Sequence, residues 1–159
     1  MASRVPLQVL AFFGAALVAG VLSNASRSHR LPWSGGDPDL LRYPKVKSIS
    51  VAEAAPLHEK ATTLFLDARP KRDFEIEHVR GAVSFTADDL ATAFEELRDF
   101  LGADVTLVVY GQDTLPAVRA VEFLAVRGHE ARVLEGGWRA WKARRLATET
   151  GAAAGGVTR

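Results

Sequence analysis

Hydrophobic and polar positions change period several times along this 159-residue chain, and each change marks an element. Val46 to Ile49 alternates apolar and polar, as a half-exposed strand does. Ser50 followed by Glu53 has capping-box spacing and predicts a short helix to about His58. Thr63-Leu64-Phe65-Leu66 predicts a buried strand, and Ala82 to Phe85 a shorter one. Asp88 and Asp89 place acids at a helix start, after which Leu90, Phe94, Leu97 and Leu101 recur on one helical face. Val105 to Tyr110 is β-branched and nearly all apolar, the pattern of a central parallel strand. A helix is predicted from about Pro116 to Arg127, closed by Gly128. Ala131 to Leu134 is the last predicted strand, Gly136-Gly137 a turn, and Trp138 to Arg144 the final helix. Strands alternating with helices over about 100 residues predict an α/β fold with a largely parallel five-stranded sheet. Such sheets bind ligands beyond the carboxyl ends of their strands, which directs attention to the loop after Tyr110.

The amino end follows a different rule. Val5 to Leu22 is an 18-residue stretch without charge, with Arg4 before it and Arg27, His29 and Arg30 after it. A helix of that length spans roughly 27 Å, close to the hydrocarbon thickness of a bilayer. The stretch is apolar on every face, unlike a helix with one face on a core. Residues 1–25 are therefore expected to be a single-pass membrane anchor or a signal segment. Ser23-Asn24-Ala25 is a small-x-small cleavage pattern, so an exported soluble product, periplasmic or secreted, is the alternative. Arg4 and the Arg27/Arg30 pair compete for the same side of the membrane and leave its orientation open.

Residues 26–44, rich in glycine and proline, are expected to be a linker, with Tyr43 packing on the domain that follows. The domain is expected over 45–146, and 147–159, ending in Gly151-Ala-Ala-Ala-Gly-Gly, is expected to be a disordered tail.

Charge and composition narrow the chemistry. Arg4 is the single charge in residues 1–25, so the remainder carries 19 basic and 19 acidic residues, which gives no basis for nucleic-acid binding. The chain has no cysteine. Disulfides, thiolate metal sites and a cysteine nucleophile are excluded. His29, His58 and His129 are scattered without metal-ligand spacing, so neither a metal nor another cofactor is expected. The basic run Arg139, Lys142, Arg144 and Arg145 is expected to be a solvated helix end favoured by the helix dipole.

Several short motifs then occur in a fixed order. Leu66-Asp67-Ala68-Arg69, Asp73-Phe74 and His78-Val79-Arg80-Gly81-Ala82 resemble the rhodanese pattern D-x-R, E-[FY], G-H-I-x-G-A. Val108-Val109-Tyr110 resembles the strand that delivers the family's active-site cysteine. Gly128, Val133 to Trp138 and Ala140-Trp141 resemble its closing motif. The resemblance runs from about Val46 to Lys142 and implies a rhodanese-like fold, a five-stranded parallel sheet flanked by helices. Asp67 at a strand end is expected to accept backbone hydrogen bonds and orient the next loop. Arg69 is expected to form a structural lock with an acid, the candidates being Asp73, Glu75 and Glu135. His78 is expected to be structural, and Gly81, Gly136 and Gly137 to occupy turns with positive φ or close backbone approach.

One region departs from the family. The resemblance implies a loop C-x-x-G-x-R-S, whose amides cradle an anionic sulfur or phosphate species. In its place stands Gly111-Gln112-Asp113-Thr114-Leu115-Pro116-Ala117. Gly111 takes the cysteine position, Thr114 the glycine, Pro116 the arginine and Ala117 the serine. Gly111 carries no nucleophile, Thr114 is the one hydroxyl with no histidine or lysine beside it in sequence to activate it, and Asp113 adds negative charge where an anion would sit. Asp113 or Thr114 is expected to cap the following helix instead. The expected function is thus a membrane-tethered, catalytically inactive rhodanese-like module, held by residues 5–22 and binding an unidentified protein. The alternative is a sulfur-compound carrier or sulfurtransferase-related enzyme using a partner's thiol.

Overall fold

The computed structural model describes residues 38–102 and 104–151. The expected anchor or signal segment, most of the linker and residues 152–159 lie outside these. Among the described residues no helix is long and apolar enough to cross a membrane.

Five strands form one parallel sheet: β1 (Ser48–Ile49), β2 (Thr63–Asp67), β4 (Val83–Ser84), β5 (Thr106–Tyr110) and β6 (Ala131–Leu134), in the order β1-β6-β5-β2-β4. The helices are α1 (Val51–His58), α2 (Lys71–Ile76), α3 (Leu90–Leu97), α4 (Thr114–Val126) and α5 (Gly137–Ala143). Side chains of successive strand residues point to opposite faces, so each strand feeds two layers. Leu66, Leu107, Val109, Ala131 and Val133 join α3 and α4 in one core. Phe65, Val108, Tyr110, Ile49 and Leu134 join α1, α2 and α5 in the other. Burial on both faces explains why β5 is almost wholly apolar.

Local chemistry sets the helix ends. The Ser50 hydroxyl accepts the Glu53 amide proton and the Glu53 carboxylate accepts that of Ser50, completing the predicted capping box. Asp89 caps α3 by accepting the Thr92 amide proton.

The structure departs from the sequence expectation at both domain edges. The expected linker ends in ordered chain: Pro38–Arg42 forms a 3₁₀ turn, and Leu40 and Tyr43 pack against the first core. Packing of the Leu40 and Tyr43 side chains offsets the break that Pro38 and Pro44 would otherwise favour. The tail expected from residue 147 begins instead with β7 (Thr148–Glu149), which pairs antiparallel with β3 (His78–Val79). Helix α2 has no periodic signal in the sequence, because six residues are too few to show one.

Candidate functional site

Asp67 and Tyr110 are register partners at the carboxyl ends of β2 and β5. Asp67 is fully buried and Arg69 is 3% exposed. The Asp67 carboxylate accepts the Arg69 amide proton at 2.9 Å, bending the chain out of the strand as expected. Its oxygens also accept from the Arg69 guanidinium, Nε at 3.0 and 3.1 Å and Nη2 at 2.6 Å. The lock expected between Arg69 and Asp73, Glu75 or Glu135 is therefore made with Asp67, two residues back. Glu135 instead accepts the Ser48 hydroxyl proton at 2.8 Å. A short return from the strand end puts Asp67 closer to Arg69 than any acid on α2.

Arg69 reaches further. Its Nη2 donates to the Glu77 carbonyl at 2.7 Å, and its guanidinium lies 4.3 Å over the Trp138 ring. Burial works against its charge, but the hydrogen bond and charge of Asp67 outweigh it and raise the pKa above the usual arginine value. The Tyr110 hydroxyl accepts the Val79 amide proton at 3.1 Å. Burial, then the negative charge of Asp67, push its ionisation far above the ordinary phenol range, so it stays neutral.

His78 is buried and stacked on Phe74 at 3.8 Å. Its Nδ1 faces the Phe74 carbonyl at 2.8 Å and its Nε2 faces a Glu149 carboxylate oxygen at 3.1 Å. Both ring nitrogens are thereby engaged in the scaffold. The same Glu149 oxygen accepts the Gly81 amide proton at 2.9 Å, with Gly81 at φ +73°. Lys142, from the basic run expected to be solvated, is bound to the Glu77 carboxylate. Tyr110, Glu77 and Glu149 were not singled out from sequence. Tyr110 shows there only as a strand end, and Glu149 sits beside a tract without periodicity.

The loop after β5 is shorter than the sequence implies. Only Gly111, Gln112 and Asp113 are non-helical, and Thr114 to Ala117 already belong to α4. Asp113 occupies the N-cap position in extended conformation, but its side chain makes no capping bond. Thr114 is the first helical residue rather than a cap, and Pro116 sits in the first turn, where its missing N–H costs no helical bond. Gly111 is buried. A Cβ there would lie 2.6 Å from the Asp113 carbonyl oxygen and 3.4 Å from the Pro116 Cβ. That oxygen fills the space a side chain at this position would need. The Gly111 carbonyl accepts the Trp138 amide proton at 2.9 Å. Gly136 and Gly137 both have positive φ, as expected, and a Cβ on Gly137 would collide with the Gly111 carbonyl oxygen.

Comparison with known proteins agrees with this architecture. The rhodanese-like domain family matches residues 50–144, more than half of the sequence, and the chain belongs to that family. Among solved structures, the Alr3790 protein from Anabaena sp. is 25% identical over 64% of this chain and 81% of its own, with TM-score 0.57. A full-length protein from Lactobacillus plantarum is 28% identical over 70% of this chain and 94% of its own, with TM-score 0.56. A thiosulfate sulfurtransferase from Pseudomonas aeruginosa is 30% identical over 80% of this chain but only 23% of its own, with TM-score 0.59. A search of curated proteins gives no match. The strap β7 lies beyond the part that the family match covers.

Proposed function

We propose that this chain is a membrane-tethered rhodanese-like module that has given up sulfur transfer and serves as a binding or regulatory domain. The observation that carries the reading is Gly111. It stands where the family's cysteine is expected, at the end of β5, with the Asp113 carbonyl oxygen 2.6 Å from where a Cβ would be. A carbonyl oxygen repels the anionic sulfur that a row of amides attracts. Thr114, the one hydroxyl among residues 111–117, is 7% exposed, and no histidine or lysine adjoins it in sequence to activate it. The scaffold beneath is held by the Asp67–Arg69 bonds and the Tyr110 hydroxyl on the Val79 amide, so the frame is kept while the reactive position is filled by backbone. Tethering is supported by the uncharged run Val5 to Leu22 with its basic flanks.

The test is thiosulfate:cyanide sulfur transfer by the full chain. Thiocyanate formation at the buffer rate is expected, and turnover well above it overturns the reading. Intact mass of the mature protein decides the tether: loss of the first 25 residues replaces it with export.

A further inference from the structure

His78 is 1% exposed, so its ring nitrogens are served by neighbouring protein groups and not by bulk water. Both neighbours are acceptors. The Phe74 carbonyl, 2.8 Å from Nδ1, has no proton to give, and neither has an ionised Glu149 carboxylate, 3.1 Å from Nε2. A neutral imidazole has one N–H and one bare lone pair. Whichever nitrogen held that proton, the other would press its lone pair against an oxygen lone pair. The arrangement is satisfied when His78 holds a proton on each nitrogen. Glu149 is a poor source of that proton: the Gly81 amide, opposed by burial and assisted by His78, holds its carboxyl below the ordinary glutamate value.

The other charges around the ring are matched elsewhere. Glu77, between α2 and β3, binds Lys142 of α5. Asp67 of β2 binds Arg69, and Arg80, next to β3, reaches Glu59 at 3.4 Å. Glu149 on β7 is thus the acid that His78 answers. The pair fastens a strap, residues 147–151. Its strand β7 is two residues long and pairs with β3 alone. The strap leaves α5 through Arg145 at φ +54°, the one non-glycine residue with positive φ among the described residues. That conformation is costly for a residue with a Cβ. Closure is opposed at this hinge and offset by the bonds on β3, of which the His78–Glu149 bond is charge-assisted.

We propose that the strap is a proton-held latch: His78 carries two ring protons while Glu149 is seated on it, and loss of one of them releases residues 147–151 from β3. The pair is intact between two limits. In acid Glu149 gains a proton and loses its charge. As pH rises through the deprotonation of His78, Nε2 stops donating, and the stability contributed by the pair disappears on that side. Release bares the edge of β3 and the Trp141 indole N–H, which donates to the Ala147 carbonyl at 3.1 Å when the strap is closed.

The test is nitrogen-15 NMR of the full chain from about pH 6 to about pH 9, the range in which histidine titrates. The ring nitrogens of His78 report their own protonation. Exchange of the Arg80 and Gly151 amides, which donate to the Ala147 and Glu75 carbonyls, reports the strap. Exchange is expressed relative to an unstructured chain at the same pH. Expected are two protonated ring nitrogens at neutral pH, and a fall in protection of roughly tenfold at both amides that tracks loss of the His78 proton. Amides of β2 and β5 should keep their protection. Glu149→Gln offers a donor to a neutral Nε2, so its strap protection should no longer follow His78. A singly protonated His78 at neutral pH under a protected strap overturns the proposal. So does a strap that stays protected after His78 deprotonates, or a pH step that survives in Glu149→Gln. A fall shared by β2 and β5 makes the event global unfolding and overturns it as well.

Discussion

The carbonyl oxygen of Gly111 accepts the Trp138 amide proton at 2.9 Å, tying the end of β5 to the start of α5. Two backbone segments meet there because Gly137 lacks a Cβ, which would collide with the Gly111 carbonyl oxygen. A side chain on Gly111 is blocked separately, by the Asp113 carbonyl oxygen. The Gly111–Trp138 bond also places Trp138 over Arg69, so the filled position and the buried lock below it form one packed unit.

Restoring the missing thiol should therefore fail. In Gly111→Cys the new Cβ meets the Asp113 carbonyl oxygen at 2.6 Å, too close for any real contact. The change is expected to cost about 1–3 kcal/mol in stability, typical of overpacking. Sulfur transfer is expected to stay at the buffer rate, because Asp113 and Pro116 still deny an anion its donors. Chemical denaturation and thiosulfate turnover on the same sample check both halves.

Gly137→Ala should be worse than Gly81→Ala. At Gly137 a Cβ collides with backbone and φ is +51°, whereas at Gly81 φ is +73° but nothing lies within 4 Å. Gly81→Ala is expected to cost about 1–2 kcal/mol, the conformational term alone. Gly137→Ala should exceed that by an overpacking term. Equal denaturation midpoints for the two variants would show that the Gly111–Gly137 approach is loose.

Arg69→Ala leaves the Asp67 carboxylate buried without its partner, at an expected cost of about 3–5 kcal/mol. Arg69→Lys should recover little, because one ammonium cannot reproduce the forked contact to Asp67 and the flat stacking on Trp138. Adding Asp67→Asn to Arg69→Ala removes the unpaired charge and should restore part of the loss. Urea unfolding of the three variants measures this. A Lys variant as stable as the wild type would count against the lock.

Acid should loosen the carboxyl-terminal strap. Bonds from Lys142 and then Thr148 hold the Glu77 carboxyl below the ordinary glutamate value of 4.5. The Gly81 amide, opposed by burial and assisted by His78, does the same for Glu149. Both folded-state values are depressed, so the stability they contribute is present above pH 4.5 and disappears as pH falls through the folded values. Thermal midpoints from pH 7 to pH 3 should fall less steeply for a Glu77→Gln/Glu149→Gln variant than for the wild type. The variant should also be the less stable of the two at pH 7. Parallel curves would show that the strap does not titrate.

The central strands β2 and β5 are legible in the sequence because each carries a run of apolar residues that burial on both faces explains, as in Val105 to Tyr110. The capping box at Ser50 and Glu53 is legible for a similar reason: both partners lie within four residues. Long-range pairings are not. Glu149 meets His78 across 71 residues, and β3 and β7 pair only with each other, outside the main sheet, so neither shows before the chain is folded. That a glycine stands where the resemblance implies a cysteine is visible from Gly111 alone. The filling of that position by the Asp113 carbonyl is not, because that depends on α4 starting at Thr114, two residues earlier than Pro116 suggests. The partner of Arg69 is missed for a geometric reason: Asp67 lies too near in sequence to look like a lock until the strand ends and the chain turns.

The most direct measurement is sulfur transfer by the unaltered full chain, with thiosulfate as donor and cyanide as acceptor, run beside a cysteine-bearing member of the family. Thiocyanate should form no faster than in buffer while the family member turns over. A rate within about a hundredfold of that member, a gap of roughly 2.7 kcal/mol in barrier, would contradict the loss of catalysis at Gly111.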